Sequence, residues 1–207
     1  MKNPQNILIS GASSGIGQSL AIAYSKEGIN LFLCARNLER LEETKKLCLQ
    51  LKANVFIKVL DVADEKEVQK FIDIIEEKYP IDLLIANAGI SGGKSGIAEN
   101  LSQAKKIFST NVDGVINFVY PVLEKMKKRQ KGQIAIVSSL AGICGIPSSP
   151  AYSASKASIR IYAKTLRTNF SKYGIEINSI CPGYVKTLIT KENEFWMPFL
   201  IDANKAA

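Results

Sequence analysis

A chain of 207 residues, 46% hydrophobic and 22% charged, has the length of one domain and the composition of a globular protein able to bury a sizeable core. Its net charge of +8 reads as a lysine-rich surface: the densest run, residues 125–131, resembles a helix C-terminus and carries no interleaved aromatics, so nucleic acid is not expected as a partner. Histidine is absent and no two of the four cysteines have Cys-x-x-Cys spacing, which rules out a histidine base and speaks against a metal site, while no stretch reaches the ~18 apolar residues of a membrane span.

The N-terminus lacks the apolar length of a signal peptide, and a cytoplasmic protein with reduced thiols is expected. The first β-rich run covers residues 6–10 and leads into Gly11-Ala-Ser13-Ser14-Gly15-Ile16-Gly17, then a helical pattern over 15–27. Gly11 lets the chain turn sharply out of the strand. Gly15 and Gly17 let a helix begin close to the sheet and to a ligand, where free N–H groups and the helix dipole favour a pyrophosphate. A plain glycine-rich turn has the same letters. Further along, strands are expected at 30–34, 55–60, 82–86, 133–138 and 176–181. Between them lie helices at 38–51, 65–79, 101–129 and 151–173, the second capped by Asp64 and the third broken near Asn111 and Gly114. The tail, 188–207, suggests a helical flap bearing Phe195, Trp196, Met197, Phe199 and Leu200, with no further strand. This alternation specifies an α/β, doubly wound parallel sheet of Rossmann type with six strands and helices on both faces, one dinucleotide-binding domain over residues 1–207.

The glycine spacing is G-x-x-x-G-x-G, and no Lys-Ser/Thr pair follows it, so a P-loop is excluded. Downstream come Asp61-Val62, Asn87-Ala88-Gly89, Asn111, Ser138-Ser139, Tyr152-Ser-Ala-Ser-Lys156, and Pro182-Gly183 with Val185 and Thr187. In this order and spacing, over nearly the whole chain, the sequence resembles the short-chain dehydrogenase/reductase family. The resemblance implies hydride transfer between a nicotinamide cofactor and a carbonyl or alcohol, with Asn111, Ser139, Tyr152 and Lys156 as the catalytic set.

Tyr152 and Lys156 are four apart and share a helical face, so the ammonium can favour the phenolate and let Tyr152 act as acid in reduction and as base in oxidation. Read alone, the pair is more often a half-buried tyrosine and a solvated lysine. Ser139 lies at the family's spacing from Tyr152, with Ser138 the competing choice. Asn111, by resemblance, links Lys156 to solvent through water, and Lys156 also bonds the nicotinamide ribose. Gly11, Ser13, Ser14, Gly15, Ile16 and Gly17 would seat the phosphates. By resemblance, Asp61 and Val62 hold the adenine, Asn87, Ala88 and Gly89 the adenosine side, and Pro182, Gly183, Val185 and Thr187 the nicotinamide. Ala35 stands where NAD-preferring relatives carry an acid, and Arg36 follows, suited to a 2′-phosphate; NADP is therefore expected over NAD.

The substrate is expected to be a small, apolar carbonyl or alcohol, selected by residues 90–96, 143–147 and the tail. A homodimer through the helices at 101–129 and 151–173 follows from the resemblance. Family members usually add a seventh strand, and its expected absence keeps a second reading open, a nucleotide-binding regulator without turnover.

Overall fold

The computed structural model describes residues 3–92, 98–191 and 196–207. Six strands form one parallel sheet: β1 (Asn6–Ser10), β2 (Asn30–Ala35), β3 (Asn54–Val59), β4 (Leu83–Ala86), β5 (Gly132–Val137) and β6 (Ile175–Ile180). Their order is β3-β2-β1-β4-β5-β6, so the direction of winding reverses between β1 and β4. Register is set from both ends of the alternation. Ile7 pairs with Leu31 on one side and Leu83 on the other. At the strand starts, Asn30 Nδ2 donates to Asn6 Oδ1 at 2.8 Å and Asn54 Nδ2 to Asn30 Oδ1 at 3.0 Å, a polar ladder that a one-residue slip would break.

Because the central strands are covered on both faces, they read as continuous apolar runs, and successive residues enter two different cores. Leu8, Phe32, Leu84, Ile134 and Ile136 face α3 (Glu65–Glu76), α5 (Gly114–Arg129) and α7 (Pro150–Phe170), meeting Ile72, Phe118, Val122 and Ile159. Ile7, Ile9, Leu31, Leu33 and Ile85 face α1 (Gly15–Tyr24) and α2 (Leu38–Gln50), meeting Ala21, Leu41 and Cys48. A fully buried Leu or Ile in either layer stabilises by roughly 1.5–3 kcal/mol.

The helix starts follow local chemistry. Asn37 accepts from Arg40 N at 2.8 Å to cap α2, and Asp64, the expected cap, accepts from Glu67 N at 3.0 Å to start α3. Asn100 and Gln103 form a capping box at the start of α4 (Leu101–Phe108). The break expected near Asn111 is instead a π-helical turn, Ser109–Asp113, through which α4 runs on into α5. A π turn inserts an extra residue without ending the helix. Gly114 is needed there for packing, since a Cβ would run into Val62 Cγ2.

The tail also departs from expectation. The short strand β7 (Val185–Lys186) pairs in parallel with β8 (Ile201–Asp202), and α8 (Ala203–Ala206) lies against α1, with Ser19 Oγ donating to Asn204 Oδ1 at 3.0 Å. A two-residue strand is too short for periodicity to register. Trp196 and Phe199 are 83% and 96% exposed, so they do not pack into the core. Phe195, and residues 93–96 of the expected specificity segment, lie outside the described residues.

Candidate active site and cofactor cleft

A cleft of ≈ 880 Å³ opens at the carboxyl ends of the strands, over the reversal between β1 and β4. Its floor is the turn from β1 into α1. Gly11 is left-handed, with φ +69°, and a Cβ on it would lie 2.7 Å from Ala88 Cα, so only glycine fits. Gly15 is also left-handed, at φ +56°. A side chain there would meet Thr187 Cγ2 at 2.8 Å, so Thr187 closes the space beside the turn. Ser13, Ser14 and Ile16 line the cleft with these glycines. Ser14 makes no side-chain cap bond, and the first turn of α1 carries no acid, leaving an electropositive helix start facing the cavity. Gly17 does not line the cleft. A Cβ on it would run into the Gly11 carbonyl oxygen and lie 2.5 Å from Asn87 Nδ2, so its role is to let α1 sit against the ends of β1 and β4.

Asn87, Ala88 and Gly89 extend this floor. Asn87 Nδ2 donates to the carbonyls of Ser10 and Gly11, both at 3.1 Å, and the N–H groups of Asn87 and Ala88 donate to Ser10 Oγ, each at 3.1 Å. The motif thus ties β4 to β1 while lining the cavity, and Ser10, which the sequence reading did not single out, is its partner.

At the end of β2, Ala35 and Arg36 line the cleft, and Arg36 Nη1 lies 3.9 Å from Asp61 Oδ2 with both side chains about half exposed. The other Asp61 oxygen accepts from Ala63 N at 3.0 Å, folding the turn after β3, and Val62 sits buried against Gly114. Arg40, in the first turn of α2, also lines the cleft and was missed.

The opposite wall carries the reactive groups. Ser138 and Ser139 follow β5 and part company. Ser138 is buried, its hydroxyl donating to Lys156 O at 2.7 Å. Ser139 faces the cleft beside the Tyr152 hydroxyl and accepts from Ala141 N at 3.1 Å at the start of the short helix α6 (Ala141–Cys144). Lys156, one turn along α7 from Tyr152, is buried and donates from Nζ to Val137 O at 2.8 Å, 5.9 Å from the centre of the Tyr152 ring.

Burial pulls the Lys156 ammonium down to about 8, partly countered by Cys181. Burial also pushes the Tyr152 phenol up, and the Ser139 side chain works more weakly the other way.

Asn111 lies in the π turn, fully buried and outside the cleft lining. Its Oδ1 accepts from Ile90 N at 2.8 Å, and its Nδ2 donates to Ile90 O at 2.9 Å and Ser155 Oγ at 3.0 Å. A Cβ on Gly89 would lie 3.2 Å from both Asn111 Oδ1 and Lys156 Nζ, so the two polar groups meet across that glycine. Pro182, Gly183, Val185 and Thr187 form the remaining wall, held to the Ser139 loop where Leu140 N donates to Pro182 O at 3.0 Å.

Residues 5–197 match the family model described as short chain dehydrogenase. The chain belongs to this family. Its members are oxidoreductases, and the six-stranded parallel sheet flanked by helices described above is of the family's Rossmann-like kind. An uncharacterized oxidoreductase of Myxococcus xanthus is 34% identical over 200 residues, covering 96% of this chain and 79% of that protein. Among solved structures, a variant of actinorhodin polyketide ketoreductase with NADPH superposes with a TM-score of 0.86 at 28% identity, covering 98% of this chain and 87% of that one. An NAD+-bound xylitol dehydrogenase superposes with a TM-score of 0.82, also at 28% identity, covering 87% and 70%. The fold therefore takes either nicotinamide cofactor, and no helix of the described residues is long and apolar enough to cross a membrane.

Proposed function

We propose that residues 1–207 act as one NADP(H)-dependent domain that interconverts an apolar carbonyl compound and its alcohol, with Tyr152 as proton donor and acceptor. The observation that carries this reading is the convergence of Ser139, Tyr152 and Lys156 on the wall of a cleft whose floor is the Gly11–Gly15 turn. The left-handed glycines, the acid-free start of α1 and the two arginines after β2 fit a phosphorylated dinucleotide. When bound, the cofactor supplies the hydride from nicotinamide C4 to the carbonyl carbon. Ser139 donates to the substrate oxygen and holds it beside Tyr152, which gives up its phenolic proton as the oxygen becomes an alcohol. Lys156, anchored on Val137 O, keeps a positive charge near the phenol and would bond the nicotinamide ribose of a bound cofactor. Asn111 holds Ile90 and Ser155, and through them the approach to Lys156.

Asp61 and Val62 would hold the adenine, Asn87, Ala88 and Gly89 the adenosine side, and Pro182, Gly183, Val185 and Thr187 the nicotinamide. The substrate end of the cleft is rimmed by Leu140, Ile146, Leu188, Ile189 and Phe199, which supports an apolar substrate. Leu101, Phe108, Tyr120 and Ile161 are exposed on α4, α5 and α7 and support a homodimer through those helices. Four unpaired cysteines fit a cytoplasmic setting.

The deciding experiment is a panel of ketones and aldehydes with NADPH and NADH. Turnover of apolar carbonyls with NADPH is expected, falling at least a thousandfold in Tyr152→Phe while NADPH binding, read by fluorescence, is kept. NADPH binding without turnover of any carbonyl would leave a nucleotide-binding regulator as the reading.

A further inference from the structure

We propose that Glu99 is a positioning residue for Tyr152, clamping the first turn of the helix that carries it; this rests on the reading of Tyr152 as proton donor. α7 begins at Pro150, which has no N–H to give, so Ala151 and Tyr152 present the first donors of the helix. Ser149 stands at the cap position and does not cap: its hydroxyl donates to Gly92 O at 2.7 Å. The first turn holds no acid of its own. The acceptor comes from another part of the chain. Glu99 Oε2 accepts from Ala151 N at 2.6 Å, and Oε1 accepts from Tyr152 N at 3.0 Å. One carboxylate thus makes two charge-assisted bonds to consecutive amides at the positive end of a 21-residue helix.

One of those amides belongs to Tyr152 itself. Its carbonyl is held as well, accepting from Ser155 Oγ at 2.7 Å, and that hydroxyl in turn accepts from Asn111 Nδ2. The backbone from which the phenol projects is therefore gripped on both sides, by Glu99 and by the Asn111–Ser155 pair. Glu99 also packs on the cleft wall, since a Cβ on Gly92 would lie 2.9 Å from Glu99 Cγ. With the Ser149–Gly92 bond, this joins the wall to the start of α7 at two points. A misplacement of about 1 Å at a reacting group costs on the order of a hundredfold in rate, so a clamp one bond removed from Tyr152 bears on turnover.

The test compares Glu99→Ala, Glu99→Gln and Tyr152→Phe with wild type, at a temperature where each is folded. Glu99→Ala is expected to lower kcat at least tenfold with the NADPH Kd changed less than twofold. The isotope effect from 4-deuterated NADPH should rise as chemistry becomes limiting. Glu99→Gln, which keeps an acceptor oxygen, should recover most of kcat. Amide exchange at Ala151 and Tyr152 should accelerate in Glu99→Ala ahead of the rest of α7, a measurement that needs no substrate. An unchanged kcat in Glu99→Ala beside an inactive Tyr152→Phe overturns the clamp alone, as does unchanged exchange at the two amides. Wild-type turnover in Tyr152→Phe overturns the reading of Tyr152, and the positioning role with it.

Discussion

Lys156 is the residue whose burial has the plainest measurable consequence. In the folded chain its ammonium is held down to about 8 against an ordinary 10.5. Between those values the unfolded chain binds more protons at this site, so the folded state gains stability as pH rises from about 8 towards 10.5. Below about 8 both states are protonated and the burial cost is constant. Lys156→Met should therefore lack a rise that wild type shows, read as urea midpoints between pH ~7.5 and ~10 without added cofactor. Arg36 and Arg40 act at the far end of the cleft. If they meet a 2′-phosphate, Arg36→Ala and Arg40→Ala should each lower kcat/KM for NADPH about tenfold or more and leave that for NADH within about twofold. Equal losses with both cofactors would remove the preference.

Among the elements, the turn from β1 to α1 tolerates least. Gly17→Ala would push a Cβ against the Gly11 carbonyl and the Asn87 amide, neither of which can retreat without loosening β1 from β4. A loss of about 1–3 kcal/mol is expected from chemical denaturation, together with weaker cofactor binding, although Gly17 does not face the cleft. The strands were legible in the sequence because double-sided burial leaves unbroken apolar runs, and their bounds shifted by a single residue at most of their ends. The glycine turn and the Tyr152–Lys156 pair were legible for a local reason: their function depends on spacing within a few residues. Glu99 was not, because its partners lie 52 and 53 positions away and nothing around it marks them. The choice of Ser139 over Ser138 rested on the family's spacing to Tyr152, and its physical basis, that α7 covers the Ser138 hydroxyl, shows only in three dimensions. The π turn escaped because its cue, an asparagine before a glycine, is also what a helix break looks like.

For the whole molecule, the exposed side chains of α4, α5 and α7 bear on assembly. Tyr120 is 60% exposed and Ile161 51% exposed, on helices whose other faces are packed. If a second copy covers them, wild type should sediment as a dimer and the double variant Tyr120→Glu, Ile161→Glu as a monomer, with Tm lowered by several degrees. The sheet order carries a further consequence. β1 emerges first in the chain, yet its second neighbour, β4, closes on it only after two complete strand–helix units have intervened. The floor on which a dinucleotide would rest, where Asn87 meets Ser10 and Gly11, is thus a seam between an early and a late part of the polypeptide. A partly assembled chain can hold the first three strands and still lack half of that floor, so full competence to bind would mark the moment the two halves have joined.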